Sequence, residues 1–365
     1  MREVGAGIVV APNMVRLMMK LGLVDGIEAG LAAFAVRLEG AWEFRRWQDG
    51  RVLSYQPMGE ACEHLYSAHC YVAHRADLLK LFHHALPPGA IQLDRRCVEL
   101  AQDKQGATLT FAGGDRASAD VVIGADGIHS TVKRAIAADV HARFSGFCAF
   151  RCLVPADRAP EMALRPVQTL WLGPGHHVVH YPISSGRLVN VVAFAPAGDW
   201  REESWTADGD VAELVAEFLG WDDRLVQLLR SASQTKRWAM YDREPLERWT
   251  DGRITLLGDA AHAMLPFFAQ GAAQAIEDAF VLAECLRKAV PGSAPAALRR
   301  YERIRRPRAT QVQLMSRGRE VQNHLADGLE QERRDLGFEA GNPLRESAWL
   351  YGYDLEAELT RDARS

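Results

Sequence analysis

The stretch that decides the fold runs Gly258-Asp259-Ala260-Ala261-His262-Ala263-Met264-Leu265-Pro266-Phe267-Phe268-Ala269-Gln270-Gly271-Ala272. The apolar run before it, residues 253–258, predicts a buried strand. The residues after it predict a helix whose apolar side chains recur at helical spacing, namely Ile276, Ala279, Phe280 and Ala283. A carboxylate at the strand end can bind a ligand's hydroxyl groups, and the N-terminus of the helix favours negative charge. The stretch can therefore hold two parts of one ligand.

This segment resembles the Gly-Asp motif of the FAD-dependent aromatic-ring monooxygenases, the single-component flavoprotein hydroxylases. The resemblance implies that Asp259 binds a ribityl hydroxyl of FAD. It also implies that the backbone N–H groups near Gly271 and Ala272 face the pyrimidine edge of the flavin. Reduced flavin carries negative charge near N1, which a helix N-terminus stabilises.

A second segment, residues 120–134, resembles the Asp-Gly motif of the same family. Within it, residues 121–123 predict a strand and Ser130 predicts a helix N-cap. The resemblance implies that Asp126 and Gly127 lie near the pyrophosphate of FAD and take part in handling the nicotinamide cofactor.

Three shorter matches extend the resemblance on the cofactor side. Residues 5–13 resemble the family segment that lies along the flavin, which implicates Gly7 and Ile8. The motif His-Arg-x-x-Leu places Arg75 where the family's arginine contacts FAD. Val98 falls where relatives touch the adenine through the backbone.

One family segment is missing from this sequence. The family begins with strand–Gly-x-Gly-x-x-Gly–helix–strand, which holds the ADP half of FAD. The nearest match, Gly5-Ala6-Gly7, lacks the third glycine. We therefore expect an N-terminally truncated chain, through a late gene start, a fragment or a real loss, that binds FAD weakly or not at all.

His177 and Tyr181 are the candidate catalytic residues. On a predicted strand they point to one face, because side chains alternate with a period of two. The chain resembles salicylate, 3-hydroxybenzoate and 6-hydroxynicotinate hydroxylases, in which a His followed four residues later by a Tyr lies in the substrate pocket. The resemblance implies that His177, with a pKa near neutral, deprotonates a phenol that then attacks a flavin C4a-hydroperoxide. His176 and His180 are expected on the other face of a half-exposed strand, as polar surface.

The candidate substrate pocket looks more apolar than those of the relatives. Val9, Pro266 and Phe267 stand where some relatives carry polar residues. A salicylate-like or more hydrophobic phenol fits this lining better, and a non-phenolic ring stays open. His262, inside the Gly-Asp segment, is expected to tie the turn to the backbone.

The composition is that of an ordinary globular protein. The 365 residues are 48% hydrophobic and 25% charged, with a net charge of −4. We expect no nucleic-acid or membrane binding and no signal peptide. The six cysteines form no Cys-x-x-Cys pair, which suits a reducing cytoplasm and argues against a metal site. The expected oligomeric state is a monomer or a homodimer.

The predicted fold class is α/β. It has a doubly wound, glutathione-reductase-like FAD-binding domain without its first βαβ unit, and a mixed-sheet substrate domain. The FAD-binding domain is predicted at 1–34, 72–143 and 244–330, the substrate domain at 35–71 and 144–243, and a C-terminal extension at 331–365. A hairpin is predicted at 41–56, and a long helix at 296–326 that is interrupted near Pro307.

The predicted function is hydroxylation of a small phenolic or aromatic acid with FAD, NADH or NADPH, and O2. The alternative is a catalytically silent relative that binds no FAD and acts at most as a binding or assembly protein. A flavin-dependent halogenase is disfavoured, because the sequence has no Trp-x-Trp-x-Ile segment.

Overall fold

A computed structural model describes residues 6–23, 34–137, 142–204, 206–290 and 292–364. The strands of this part of the chain are β1 (Gly7–Val10), β2 (Val36–Arg37), β3 (Ala41–Arg46), β4 (Val52–Pro57), β5 (Tyr71–His74), β6 (Cys97–Gln102), β7 (Ala107–Phe111), β8 (Arg116–Ala119), β9 (Val122–Gly124), β10 (Arg143–Pro155), β11 (Gln168–Gly173), β12 (His176–Ile183), β13 (Leu188–Pro196), β14 (Asp208–Gly209), β15 (Thr235–Asp242), β16 (Thr250–Asp251) and β17 (Ile254–Leu256).

The α-helices are α1 (Pro12–Met18), α2 (Gly59–Tyr66), α3 (Arg75–Ala85), α4 (Lys133–Ile136), α5 (Val211–Glu217), α6 (Asp223–Arg230), α7 (Asp259–His262), α8 (Gly271–Arg287), α9 (Ala294–Asn323), α10 (Leu329–Ala340), α11 (Pro343–Glu346), α12 (Ala348–Tyr351) and α13 (Leu355–Asp362). Helix α1 continues into a π-helical segment, Met19–Leu23. Short 3₁₀ turns form at Glu161–Ala163 and Pro266–Phe268.

The chain divides into two compact units. The first consists of Met1–Ala85, Phe144–Met240 and Gly318–Tyr353, and the second of Leu86–Arg143, Tyr241–Arg317 and Asp354–Ser365. The predicted division by function into FAD-binding and substrate domains has other boundaries, and it stays a prediction.

The first unit is built on an eight-stranded sheet in the order β14-β15-β10-β13-β12-β11-β3-β4. Strands β11 and β3 run parallel, whereas β12 is antiparallel to both of its neighbours. One face is buried against α5 and α6 by a core that includes Phe150, Trp171, Phe218 and Leu225. The α/β class and the predicted mixed sheet are thereby confirmed, as is the hairpin formed by β3 and β4.

The second unit contains a parallel pair of strands, β9 and β17. Leu256, the last residue of β17, lies beside Gly124, the last residue of β9. Both strands therefore end at the same edge of the sheet. A Cβ at Gly124 would lie 2.6 Å from the Cβ of Val132, which explains the glycine. The two segments that resemble family motifs therefore begin next to each other. A separate antiparallel sheet is formed by β6, β7 and β8.

Helix α9 differs from its prediction, because it runs unbroken through Pro307. A proline inside a helix removes one backbone hydrogen bond and costs about 3 kcal/mol. Here Arg305 and Arg308, on either side of Pro307, are fully buried or nearly so and bind carboxylates of α8. These contacts hold the helix on both sides of the proline.

Helix α8 forms where predicted, and the face that it buries carries charged as well as apolar residues. The apolar residues whose spacing predicted the helix are half-buried or exposed: Ile276, Ala279, Phe280 and Ala283. The buried residues are Ala273, Gln274, Glu277, Asp278, Val281, Leu282 and Cys285. Helix α8 packs through charged groups that pair with α9, which hydrophobic periodicity does not reveal.

Candidate active site

Asp259 lies at a sharp turn between β17 and α7. Gly258 before it has φ 62° and ψ −140°, a conformation that side-chain-bearing residues rarely adopt. The Asp259 side chain is exposed and makes no hydrogen bond or ion pair with the described residues. A Cβ at Gly271, the first residue of α8, would lie 3.9 Å from Oδ1 of Asp259. The turn therefore presents a carboxylate beside the N-terminus of a 17-residue helix.

Asp278 of α8 holds this turn in place through hydrogen bonds to Gly258 and His262. Its Oδ2 accepts the Gly258 N–H at 3.0 Å and lies 2.6 Å from Nε2 of His262. Its Oδ1 accepts a hydrogen bond from Nε of Arg305 at 2.8 Å. His262 thus has the structural role expected of it, but its partner is a carboxylate rather than the backbone.

Glu277, the residue before Asp278 in α8, is a second buried carboxylate. It accepts hydrogen bonds from Arg305 at 2.7 Å and from Arg308 at 2.7 and 2.9 Å. Burial alone raises the pKa of the Asp278 carboxyl, but His262 and Arg305 outweigh it and lower the pKa to about 2. The Asp278 carboxylate is therefore charged at neutral pH, and Arg305 pairs with both carboxylates.

The Asp126 turn is held by hydrogen bonds to the Asp126 carboxylate and the Ser130 hydroxyl. The carboxylate of Asp126 accepts a hydrogen bond from Ser130 and another from the Thr131 N–H at 2.7 Å. Gly127 has φ 77°, which the turn requires. Ser130 accepts the Lys133 N–H at 2.9 Å, so it caps the start of α4 from three residues upstream. Asp126 is exposed, and its visible contacts stabilise the turn.

Gly7 and Arg75 come together through β1 and β5. The two strands are antiparallel, with Gly7 opposite His74. The Arg75 N–H donates to the Ala6 carbonyl at 2.9 Å. The Arg75 side chain is exposed and makes no hydrogen bond or ion pair within the described part of the chain. This guanidinium can therefore bind an anionic group.

Tyr181 and Asn190 lie against Gly7. A Cβ at Gly7 would lie 2.6 Å from Cε2 of Tyr181 and 2.7 Å from its hydroxyl oxygen. Oδ1 of Asn190, which stands opposite Tyr181 in the sheet, accepts the Gly7 N–H at 2.7 Å. Asn190 was missed in the sequence, because an asparagine in an apolar strand carries no motif. The fold thus joins a predicted catalytic residue to a predicted cofactor residue.

His177 is buried, with 1% of its surface exposed. Its ring stacks on Phe194 at a centroid distance of 4.2 Å. Nδ1 of His177 lies 2.6 Å from Nε2 of His324. Burial, with a smaller contribution from His324, lowers the pKa of His177 well below its ordinary value. The expectation of a near-neutral pKa was wrong, because the strand is buried rather than half-exposed.

His176 and His180 lie on the other face of β12, as predicted, but they are not polar surface. His180 is 1% exposed, and its Nε2 accepts the indole N–H of Trp171 at 3.0 Å. Burial lowers the pKa of His180 to about 3. His176 is half-buried and lies 3.0 Å from a carboxylate oxygen of Glu217.

The remaining predicted residues have varied surroundings. Val9 is buried, and Ile8 and Ala272 are half-buried. Pro266 is exposed and Phe267 half-buried in the 3₁₀ turn before α8, and Val98 is 48% exposed on β6.

The predicted site residues are divided between the two units. The first unit holds Gly7, Ile8, Val9, Arg75, His177 and Tyr181, and the second holds Val98, Asp126, Gly127, Asp259, Pro266, Phe267, Gly271 and Ala272.

Among the described residues, no group of three or more His, Cys, Asp or Glu side chains is placed to hold a metal ion. No helix in the described ranges is long and apolar enough to cross a membrane.

The FAD binding domain family matches residues 5–316 of the chain. The chain belongs to this family. The resemblance to FAD-dependent aromatic-ring monooxygenases is thereby confirmed, and FAD is the cofactor of the family to which the chain belongs.

Three relatives show how far the similarity extends. The 3-amino-4-hydroxybenzoate 2-monooxygenase PtmB3 of Streptomyces platensis is 42% identical over 96% of this chain and 87% of its own length. Salicylate hydroxylase of Pseudomonas putida is 33% identical over 98% of this chain and 85% of its own. The 6-hydroxynicotinate 3-monooxygenase of Bordetella bronchiseptica is 31% identical over 99% and 88%.

Solved structures agree with the sequence comparison. A substrate complex of salicylate hydroxylase matches with a TM-score of 0.83 at 29% identity, over 98% of this chain and 90% of that one. HpxO of Klebsiella pneumoniae, in complex with FAD and uric acid, matches with a TM-score of 0.83 at 26% identity, over 96% and 88%.

The stability of the fold should depend on Arg305, because this arginine pairs with two buried carboxylates. Replacing it by Met leaves the carboxylates of Glu277 and Asp278 without their shared cation, so the free energy of unfolding should fall by about 3–5 kcal/mol. The control is Arg306→Met, which removes a half-buried arginine from the next position and should cost less than about 1 kcal/mol. Urea denaturation measures both. Equal stability of the two variants would contradict a stabilising role for the buried pairs.

Acid should destabilise the first unit through His180. Its pKa is about 3 in the folded chain and about 6.5 when unfolded, so its contribution is complete above pH 6.5 and is lost as the pH falls from 6.5 towards 3. The loss is at most about 1.4 kcal/mol per pH unit. His180→Gln keeps an acceptor for Trp171 but does not titrate. Urea denaturation at several pH values should give the variant a shallower slope, and an unchanged slope would contradict the assignment.

Proposed function

We propose that this chain hydroxylates a small phenolic carboxylic acid, using FAD, NADH or NADPH, and O2. The observation that carries the proposal is the 42% identity with 3-amino-4-hydroxybenzoate 2-monooxygenase across nearly the whole chain. A benzoate with a hydroxyl and an amino group on the ring is therefore the first substrate to test. The proposal is favoured over a catalytically silent chain, because the relatives that match are named as enzymes.

The second unit fits the flavin. The exposed carboxylate of Asp259 can accept a hydrogen bond from a ribityl hydroxyl. The N–H groups of Gly271 and Ala272 have no intrahelical acceptor, so they can donate to the pyrimidine edge. When bound, FAD supplies the reduced-flavin chemistry that activates O2.

Six other residues are proposed as cofactor contacts. The exposed guanidinium of Arg75 suits an anionic part of FAD. The two glycine-containing segments offer backbone groups without bulky side chains. The proposed contacts are Gly7, Ile8, Val98, Asp126 and Gly127, together with Arg75.

His177 and Tyr181 are proposed to act on the phenol. Burial keeps the imidazole of His177 neutral, so one ring nitrogen can accept the phenolic proton. Burial raises the pKa of Tyr181, so its hydroxyl stays protonated and can donate a hydrogen bond to the phenolate oxygen. Val9, Pro266 and Phe267 are proposed to keep water from the substrate, which limits wasteful release of peroxide.

The surroundings of the enzyme are also proposed. All six cysteines are free, which supports a reducing cytoplasm. The net charge of −4 gives no support for nucleic-acid binding. We propose a monomer or a homodimer.

Product analysis tests the function. The purified chain with FAD is incubated with NADH or NADPH, ¹⁸O₂ and a set of acids: 3-amino-4-hydroxybenzoate, salicylate, 3-hydroxybenzoate and benzoate. We expect one phenolic acid to gain a single ¹⁸O atom, and benzoate to gain none, because it has no phenol to deprotonate. Cofactor oxidation with no labelled product from any acid would refute the proposal. Absence of FAD binding would favour the silent relative.

Asp259 should govern retention of FAD. Its replacement by Ala removes a charge-assisted hydrogen bond of about 1.5–3 kcal/mol, so the dissociation constant should rise about 10- to 100-fold. Quenching of flavin fluorescence measures it. The control is Asp115→Ala, a change of the same kind at an exposed residue outside the candidate site. Equal affinities of the two variants would show that Asp259 does not contact FAD.

His177 should govern coupling. His177→Ala should still oxidise NAD(P)H in response to substrate, while hydroxylation slows by about 10²–10⁴-fold and H2O2 accumulates. The measurement is product formed per NAD(P)H consumed, with peroxide assayed alongside. The control is His176→Gln, on the opposite face of the same strand. Wild-type coupling in His177→Ala would place deprotonation elsewhere.

A further inference from the structure

Asn190 of β13 holds Gly7, a proposed flavin contact, against the sheet that carries Tyr181. Its Oδ1 accepts the Gly7 N–H at 2.7 Å, although the two residues are 183 positions apart. The side chain is fully buried, with 0% of its surface exposed. A backbone N–H can only donate, so this contact fixes which end of the amide faces Gly7. Nδ2 of Asn190 has no hydrogen-bond partner among the described residues, so the bond to Gly7 sets the orientation of the amide.

The peptide unit between Ala6 and Gly7 is held from both sides. Its carbonyl, that of Ala6, accepts the Arg75 N–H at 2.9 Å, where β5 meets α3. Its N–H, that of Gly7, points the other way and donates to Asn190, because the two polar groups of a planar trans peptide point in opposite directions. One rigid unit therefore links Arg75, another proposed cofactor contact, to β13.

The backbone of Gly7 lies very close to the Tyr181 ring. A Cβ at Gly7 would lie 2.6 Å from Cγ of Asn190 and 2.7 Å from the hydroxyl oxygen of Tyr181. Asn190 stands opposite Tyr181 in the antiparallel pair of β13 and β12. Side chains at opposite positions of such a pair are neighbours, so both meet Gly7 together. The hydroxyl proposed to bind the phenolate thus stands beside the backbone that Asn190 holds.

We propose that Asn190 is a positioning residue for the hydroxylation: by holding the Gly7 N–H, it sets the distance between the proposed flavin contacts of β1 and the hydroxyl of Tyr181. The inference rests on the function proposed above. Asn190 itself exchanges no proton with the substrate. An error of about 1 Å in the placement of reacting groups can cost about 100-fold in rate. Hydroxylation needs the phenol at a fixed distance from the flavin, so a displaced Gly7 lowers the yield of product more than it lowers oxidation of NAD(P)H.

Substitution of Asn190 should separate positioning from stability. Asn190→Leu keeps the approximate shape of the side chain and leaves the Gly7 N–H without an acceptor, but it also removes the unsatisfied Nδ2 donor. These two effects on stability have opposite signs, so the urea midpoint should stay close to that of the wild type. Asn190→Asp keeps an acceptor for Gly7, because a carboxyl group can accept a hydrogen bond in either protonation state.

Hydrogen exchange at the Gly7 amide tests the bond without any substrate. The chain with FAD is labelled with ¹⁵N-glycine, and the Gly7 signal is assigned by its loss in Gly7→Ala. We expect slow exchange in the wild type and in Asn190→Asp, and exchange about 10-fold faster in Asn190→Leu. Equal exchange in Asn190→Leu and the wild type would overturn the proposal, since Asn190 would not hold this amide.

Product formed per NAD(P)H consumed tests the consequence for the reaction. This ratio does not depend on the fraction of a variant that is folded, so a merely structural role would leave it unchanged. Asn190→Leu should lower it by about 10-fold or more, whereas Asn190→Asp should stay within a few-fold of the wild type. Gly7→Ala should show a similar loss with Asn190 intact, because its Cβ displaces β1 from Tyr181. The control is Gly337→Ala, which adds a Cβ with nothing within 4 Å and should match the wild type.

Two results would overturn the positioning role. One is an equal loss of coupling in Asn190→Leu and Asn190→Asp. The other is a fall in NAD(P)H oxidation and in product by the same factor in Asn190→Leu, which would leave Asn190 a structural role alone. A wild-type chain that hydroxylates none of the acids would instead refute the proposed function, while exchange at Gly7 would still report the bond.

Discussion

The second unit depends on the pairing of two buried carboxylates of α8 with two arginines of α9. Asp278 and Glu277 are at most 1% exposed, a setting in which an unpaired charge is strongly unfavourable. Arg305 touches both, and Asp278 also binds the N–H of Gly258. The same contacts that neutralise these charges therefore hold the strand-to-helix turn before Asp259. The exposed carboxylate of Asp259, the proposed cofactor contact, is thus held in place by charges that solvent does not reach.

The candidate catalytic residues of the first unit are buried without a charged partner among the hydrogen bonds described above. Its buried site residues are neutral: burial lowers the pKa of His177 and raises that of Tyr181. Each then relies on a hydrogen bond or a stacked ring rather than on an opposite charge, as with His177 on Phe194. Burial disfavours the charged form of the His177 imidazole, so a proton that it takes up is held only weakly. The Asp278–Arg305 pair keeps its charges, because losing one charge would leave the other unmatched.

Local patterns predicted the elements of this fold but not their long-range partners. Short-range spacing of apolar and turn residues predicts one element at a time. It predicted the strand β17, the start of α8 at Gly271 and the hairpin of β3 and β4. The buried face of α8 escaped prediction, because Asp278 is paired with a residue 27 positions away. His324 lies 147 positions from His177, and no spacing rule connects them. Only the packed structure brings such pairs together.

The protonation states in the first unit bear on how the proposed reaction responds to pH. His177 is neutral above the range where its lowered pKa lies, and Tyr181 is neutral below its raised pKa. Over the physiological range neither side chain changes charge, so neither imposes its own titration on the rate. The phenol's own pKa then sets how readily its proton passes to a neutral imidazole. Ring substituents that acidify the phenol ease this step, and the chemistry of the acid, more than that of the protein, sets the pH response.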